Sequence, residues 1–213
     1  MSARISAEEF YNDCIDSPLD MVMLRRIFLL LTRVHWGDAE NHYQQPNPFD
    51  CLVYSDEEKD SRLTVDLTDI YNEDETDNFP GVFVGFEGGF TLSKITQNYE
   101  AVASDDGSAE HRIVSWKGRL VIKHVHQSAD IAMAMADSTF AYMMALRSSL
   151  MSRFPIRQLD IVGVTDPQNI KPQNARRFFK VDLVSDVEFT ATVSINMESH
   201  RIKKWGLKMS NVE

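Results

Sequence analysis

Two histidines at alternate positions, His124 and His126, come nearest in this sequence to the spacing of a metal site. In an extended strand, residues two apart point to the same face and lie about 7 Å apart, so two imidazoles can share a metal ion. Glu110 and His111 could supply further ligands, but the sequence does not fix them in place. We favour two histidines at a surface or an interface, titrating near neutral pH.

A dense run of carboxylates is the second candidate for chemistry. Residues 55 to 78 hold ten acidic side chains against Lys59 and Arg62. Hard divalent cations bind clustered carboxylates, yet the alternate spacing and central glycine of a calcium loop are missing. We therefore expect a solvated, self-repelling acidic linker.

Catalytic machinery is not indicated elsewhere. The glycine-dense run Gly85-Phe86-Glu87-Gly88-Gly89 precedes neither a Lys-Ser/Thr pair nor a helix, so it predicts a bulged turn and not a phosphate loop. Cys14 and Cys51 have no histidine at a telling spacing, and two lone thiols suit a reducing compartment. We expect a non-enzymatic binding protein without a cofactor; a metal-dependent hydrolase using His124 and His126 is the alternative.

The elements that would position these residues begin with an N-terminal helical segment, residues 1–37. A capping box at Ser6 and Glu9 starts its first helix. Ser17 caps the second helix, and Gly37 ends it. No window is long and apolar enough for a membrane span, and the N-terminus lacks the layout of a signal peptide. These features predict a chain made in the cytoplasm.

Residues 38–213 are predicted to form one α+β domain. Ser128 caps its main helix, 128–154, which is rich in alanine and should lie close on a sheet. The strands predicted before the last one are Leu52–Tyr54, Arg62–Leu67, Val82–Phe86, Phe90–Ala103, Arg112–His126 and Leu159–Val164. This order, with hairpin-like neighbours, predicts an antiparallel or mixed sheet with the helices packed on one face.

The last strand, 178–198, has the clearest pattern in the chain. Apolar residues occupy nearly every second position from Phe179 to Met197, over about twice the typical strand length. A strand this long either bends or projects beyond its own domain and pairs with a neighbour.

Charge is segregated along the chain, whose formal net charge is −10. The C-terminal residues are basic, whereas the linker is acidic, and unlike patches suit head-to-tail contact between identical subunits. A solvated loop with a basic tail is the alternative. Overall acidity argues against a dedicated nucleic-acid binder. The predicted subunit interface comprises Asp56, Glu57, Glu58, Glu73, Asp74, Glu75, Arg201, Lys203, Lys204, Lys208, Val187, Phe189 and Val193.

Residues 79 to 200 resemble a phage protein family. The stretch Gly118-Arg119-Leu120-Val121-Ile122-Lys123-His124-Val125 leads through Ser128-Ala129-Asp130-Ile131-Ala132 into a long helix, followed by Ile161-Val162-Gly163-Val164-Thr165-Asp166 and a closing strand. This order is similar to that of the tail-terminator and neck proteins of tailed bacteriophages. The resemblance rests on pattern and element order and includes no invariant motif.

The resemblance implies a virion protein of the tail or neck. Such a subunit forms a ring, commonly of about six copies, that caps the tail tube and docks it to the head-side connector. DNA would pass through an acidic lumen without specific binding, because phosphates are repelled there. Another tail-tube, baseplate or head-closure subunit is the alternative. No membrane is implied.

Overall fold

The computed structural model describes residues 20–37, 52–55, 62–71, 79–93, 101–103, 109–170 and 177–196. These residues contain two helices, α1 (Met21–Gly37) and α2 (Ala129–Arg153). The strands are β1 (Thr64–Leu67), β2 (Gly81–Leu92), β3 (Ala101–Ala103), β4 (Ala109–His126), β5 (Ile156–Val164), β6 (Gln168–Ile170) and β7 (Phe178–Asn196). A 3-10 turn, Thr68–Ile70, follows β1. Neither described helix meets the length and hydropathy of a membrane span.

The seven strands form one mixed sheet in the order β1-β2-β4-β7-β5. β3 lies beside β4 in line with β2, and β6 lies beside β7 in line with β5. β1 and β2 run parallel, and the other described pairs are antiparallel. Both helices bury side chains against the same face, so the predicted α+β fold is confirmed.

Helix α1 starts at Asp20, whose carboxylate accepts a hydrogen bond from the backbone N–H of Met23 at 2.7 Å. Asp20 therefore acts as the N-cap. The sequence-based cap, Ser17, and the whole first predicted helix lie outside the described residues. The helix ends at Gly37 as predicted and buries Leu24, Ile27, Phe28 and Trp36 at helical spacing.

Helix α2 starts at Ser128, whose hydroxyl accepts a hydrogen bond from the N–H of Ile131, as predicted. Ala132 and Ala136 are fully buried and cluster with Val181 of β7. Small side chains at these two positions let the helix approach the sheet closely, which confirms that part of the alanine prediction. Ala145, by contrast, is exposed.

Two predicted strands are corrected. Leu52–Tyr54 is not a strand, because its backbone bonds go elsewhere: Tyr54 N–H donates to the carbonyl of Trp36 at 2.9 Å. The predicted strand Phe90–Ala103 is divided, since its first three residues belong to β2 and its last three form β3.

A bulge in β2 keeps Phe90 in the sheet. The register with β4 shifts between Glu87 and Phe90, and the intervening Gly88 and Gly89 both have φ of 72°. Side chains other than glycine rarely adopt that conformation. The predicted bulge is therefore confirmed, but it lies within one strand and is not a turn.

Two other glycines allow close approach of neighbouring groups. A Cβ at Gly118 would lie 2.6 Å from the ring of Phe90, so the missing side chain at this position relieves crowding. A Cβ at Gly85 would lie 1.9 Å from Oγ1 of Thr68. The 3-10 turn therefore packs directly on the sheet.

Candidate assembly surface of the sheet

The two central strands project beyond their neighbours. β4 and β7 pair along their whole length, from Ala109 opposite Asn196 to His126 opposite Phe179. On the outer side of β7, β5 reaches only to Phe189; on the outer side of β4, β2 reaches only to Trp116. The remainder, which we call the extension, consists of Ala101–Ala103, Ala109–Ser115 and Thr190–Asn196.

One side of the extension is a strand edge that has no partner strand among the described residues. The N–H of Thr190 donates to the carbonyl of Pro155 at 2.9 Å, the last contact with the chain that leads into β5. Alternate residues of a strand direct their backbone groups to the same side. The N–H and C=O groups of Thr192, Ser194 and Asn196 therefore point away from β4, and no described strand pairs with them. We call these residues the β7 edge.

The edge formed by β1 is covered. Nε of Arg33, on α1, donates to the carbonyl of Val65 at 3.1 Å, and the same guanidinium lies 3.7 Å from the carboxylate of Asp66. A side chain that occupies edge carbonyls blocks the approach of a further strand.

The edge formed by β5 is protected in a different way. Its pairing with β7 is irregular between Ile156 and Gln158 and again between Ile161 and Gly163. Arg147 of α2 also reaches Asp160 at 2.7 Å. Bulges and charges are ordinary protections of an edge strand, whereas the β7 pairing with β4 is regular to Asn196.

The sheet face opposite the helices, which we call the open face, is covered at one end by an apolar cluster around Phe83 and Val125 and carries a ladder of ion pairs. Lys117 lies 3.2 Å from Glu188, and Arg119 lies 3.2 Å from Asp186. Lys123 lies 3.3 Å from Glu87 on β2. The first two pairs and Glu87 line a groove of about 580 Å³ beside the glycine bulge. Each of these cations has a carboxylate partner, so the ladder offers no unbalanced charge to a ligand.

Glu188 is the buried member of this ladder, with 6% of its surface exposed. Ser115 donates to its carboxylate at 2.9 Å, and Lys117 lies on the other oxygen. Burial alone would raise the pKa of Glu188, but hydrogen bonds from Ser115, Lys117 and Ser93 hold it below the ordinary value. The carboxylate is therefore ionised and satisfied, and it is not poised for proton transfer.

The surface interpretation of His124 is wrong. His124 is fully buried beneath α2, with Nε2 2.8 Å from the hydroxyl of Thr139 and Nδ1 3.4 Å from the carbonyl of Val181. Burial lowers its pKa to about 3, so the ring is neutral. Both ring nitrogens face partners within the chain, which leaves His124 no free position for a metal.

His126 is only partly buried, and its Nδ1 accepts the N–H of Ser128 at 3.0 Å. Burial also lowers the pKa of His126. The side chains of Glu110 and His111 lie outside the described part, and the described side chains include no group of three that could hold a metal.

Two predicted interface residues need correction. Val187 and Phe189 are buried in the core between the sheet and the helices, so these side chains cannot contact another subunit in this conformation. Val193 lies in the extension. Asp56, Glu57, Glu58, Glu73, Asp74, Glu75, Arg201, Lys203, Lys204 and Lys208 lie outside the described residues.

The sequence predicted the length of β7 but missed which part of it lacks a partner. The signal was indirect: Leu159–Val164 is far shorter than 178–198, so the two could not pair throughout. Comparison with known proteins adds no family, since no protein-family model and no curated protein matches the chain.

Proposed function

We propose that this chain is a structural subunit of a tailed-bacteriophage virion, a tail terminator or neck protein. In this role about six copies form a ring that caps the tail tube and joins it to the head connector. The β7 edge is the observation that carries the proposal. A regular edge with backbone donors and acceptors accepts a strand from another chain.

Two further features support an assembly role. The β1 and β5 edges are protected, whereas no described group covers the β7 edge, which confines the capacity for strand pairing to the extension. The ion-pair ladder of the open face is internally neutralised. A neutralised surface lacks the free cations that draw a protein onto phosphates, which suits a subunit that DNA must pass without sticking.

Proline at Ser194 tests the proposal at the edge itself. Proline removes the N–H that points away from β4 and is tolerated where that N–H is not part of the ladder. We expect Ser194→Pro to abolish ring formation, while Ser194→Ala, which keeps the backbone donor, assembles like the parent protein. Light scattering with size-exclusion chromatography and negative-stain imaging measure assembly, and circular dichroism checks that both variants fold.

Binding to tail tubes that lack a terminator is the second readout. Purified protein should cap one end of such tubes, and Ser194→Pro should not. The proposed function would be refuted if the parent protein stays monomeric at high concentration and binds neither tail tubes nor head connectors. Rings formed equally well by Ser194→Pro would show that the β7 edge is not the assembly surface.

A further inference from the structure

The extension has a second edge without a described partner strand, on the side opposite the β7 edge. β3 pairs with β4 through Ala101 opposite Arg112, Val102 opposite His111 and Ala103 opposite Glu110. No described strand lies on the other side of β3. The extension consists of three strands, and each of its two outer edges has no described partner strand. Such a unit can join copies of itself in series.

Backbone directions show which groups β3 presents. The N–H of Ser93 donates to the carbonyl of Ser115 at 3.0 Å, so the odd-numbered residues of β4 face the β2 and β3 side. Val102 lies opposite His111 and therefore faces β4. Ala101 and Ala103 must then direct their N–H and C=O groups outward, and we call them the β3 edge.

The direction of the strands restricts how the two edges can meet. β3 and β7 are each antiparallel to β4, so they run parallel to one another. Rotation about a ring axis along the strands preserves strand direction, so the β7 edge of one copy would meet the β3 edge of the next in parallel.

We infer that the subunits join head to tail, with the β7 edge of one copy paired in parallel with the β3 edge of its neighbour. This inference rests on the proposed ring function. Parallel pairing would place each outward residue of β7, such as Ser194, between Ala101 and Ala103 of the next copy. Few backbone hydrogen bonds form at each joint between subunits. The stability of the ring therefore depends on its closure, because every subunit of a closed ring makes two joints.

A two-fold pairing of two β7 edges is the competing arrangement. It would be antiparallel and would use the same surface of both copies, so it would stop at two subunits. A head-to-tail joint leaves one edge open at each end until the ring closes. The two arrangements therefore differ in which pairs of residues approach one another.

Cysteine cross-linking separates them. In a background with Cys14→Ser and Cys51→Ser, the variants are Val102→Cys, Ser194→Cys and the double variant, each oxidised to form disulfides. Val102 and Ser194 of one chain lie on either side of His111, about 10 Å apart, which is too far for a disulfide within one subunit. We expect a ladder of cross-linked species up to the closed ring from the double variant alone. Val102→Cys with Val162→Cys, on the protected β5 edge, is the matched control and should not cross-link; Val162 is 59% exposed.

The cross-linking results distinguish failure of the head-to-tail joint from failure of the proposed ring function. Covalent dimers from Ser194→Cys alone would show the two-fold arrangement and overturn the head-to-tail joint. Rings seen by mass photometry without cross-links in the double variant would also overturn it while leaving the ring function in place. Absence of rings from the parent protein and every variant would refute both.

Discussion

Replacing His124 with glutamine should weaken the dependence of unfolding free energy on pH between 6.5 and about 3. The native ring is neutral because burial lowers its pKa, and its contacts include the Thr139 hydroxyl and the backbone of Val181 and Ile122, none of which is charged. Between those pH values the unfolded chain binds a proton at His124 that the folded chain does not. The contribution of His124 to stability is therefore complete above pH 6.5 and is lost as pH falls.

The size of the effect follows from the span of that interval. One proton taken up on unfolding lowers the unfolding free energy by about 1.4 kcal/mol per pH unit. Across the whole interval the loss approaches ~5 kcal/mol, comparable with the entire stability of many domains. Glutamine does not titrate, and its amide can still donate to Thr139. At neutral pH we expect His124→Gln to cost about 1–3 kcal/mol, because the contact with Val181 is lost.

Urea unfolding of both proteins, followed by tryptophan fluorescence at pH values across the interval, gives the required difference. The carboxylates common to both proteins cancel in that difference. The gap between parent and variant should close as pH falls, and parallel curves would refute the account of His124.

Two further substitutions test the packing of the open face. Gly85→Ala should destabilise the fold by about 1–3 kcal/mol, because its Cβ would overlap Thr68. Adding Thr68→Ala should restore part of the loss in thermal unfolding, since it removes Oγ1 and Cγ2 but leaves a Cβ 2.9 Å away; no rescue would contradict that contact. Lys117→Met should cost about 1–2 kcal/mol at neutral pH and raise the pKa of Glu188, which is measurable by NMR titration, because a buried carboxylate loses its cation. Arg119→Met is the control, since it breaks an exposed pair and should cost less than ~1 kcal/mol; equal losses would contradict this interpretation.

Local signals in the sequence predicted the elements that depend on local physics. The cap at Ser128, the end of α1 at Gly37 and the alternation of β7 each lie within one element. The burial of other side chains depends on contacts with residues that are distant in sequence. His124 alternates with the apolar residues Leu120 and Ile122, which places it on the buried face, but no local pattern shows that Thr139 of α2 satisfies its ring.

The sequence did not predict which strand segments lie at the edges of the sheet. Leu52–Tyr54 is apolar enough for a strand, yet Tyr54 is tied to the end of α1. Val187 and Phe189 fitted the pattern of an interface, but whether an apolar strand face meets a helix or another subunit depends on packing that no local pattern encodes. The part of β7 that has no described partner strand could be identified only from the length and register of β5.

Backbone hydrogen bonds at the β7 edge carry no information about sequence, so that edge cannot by itself tell a sister subunit from any other extended peptide. Selection of sister subunits over other peptides would have to come from a high local concentration of sister chains and from a rotation between copies that closes the ring. If copies pair through this edge without closing into a ring, they would grow into open-ended fibres, because the same joint repeated without closure has no natural end.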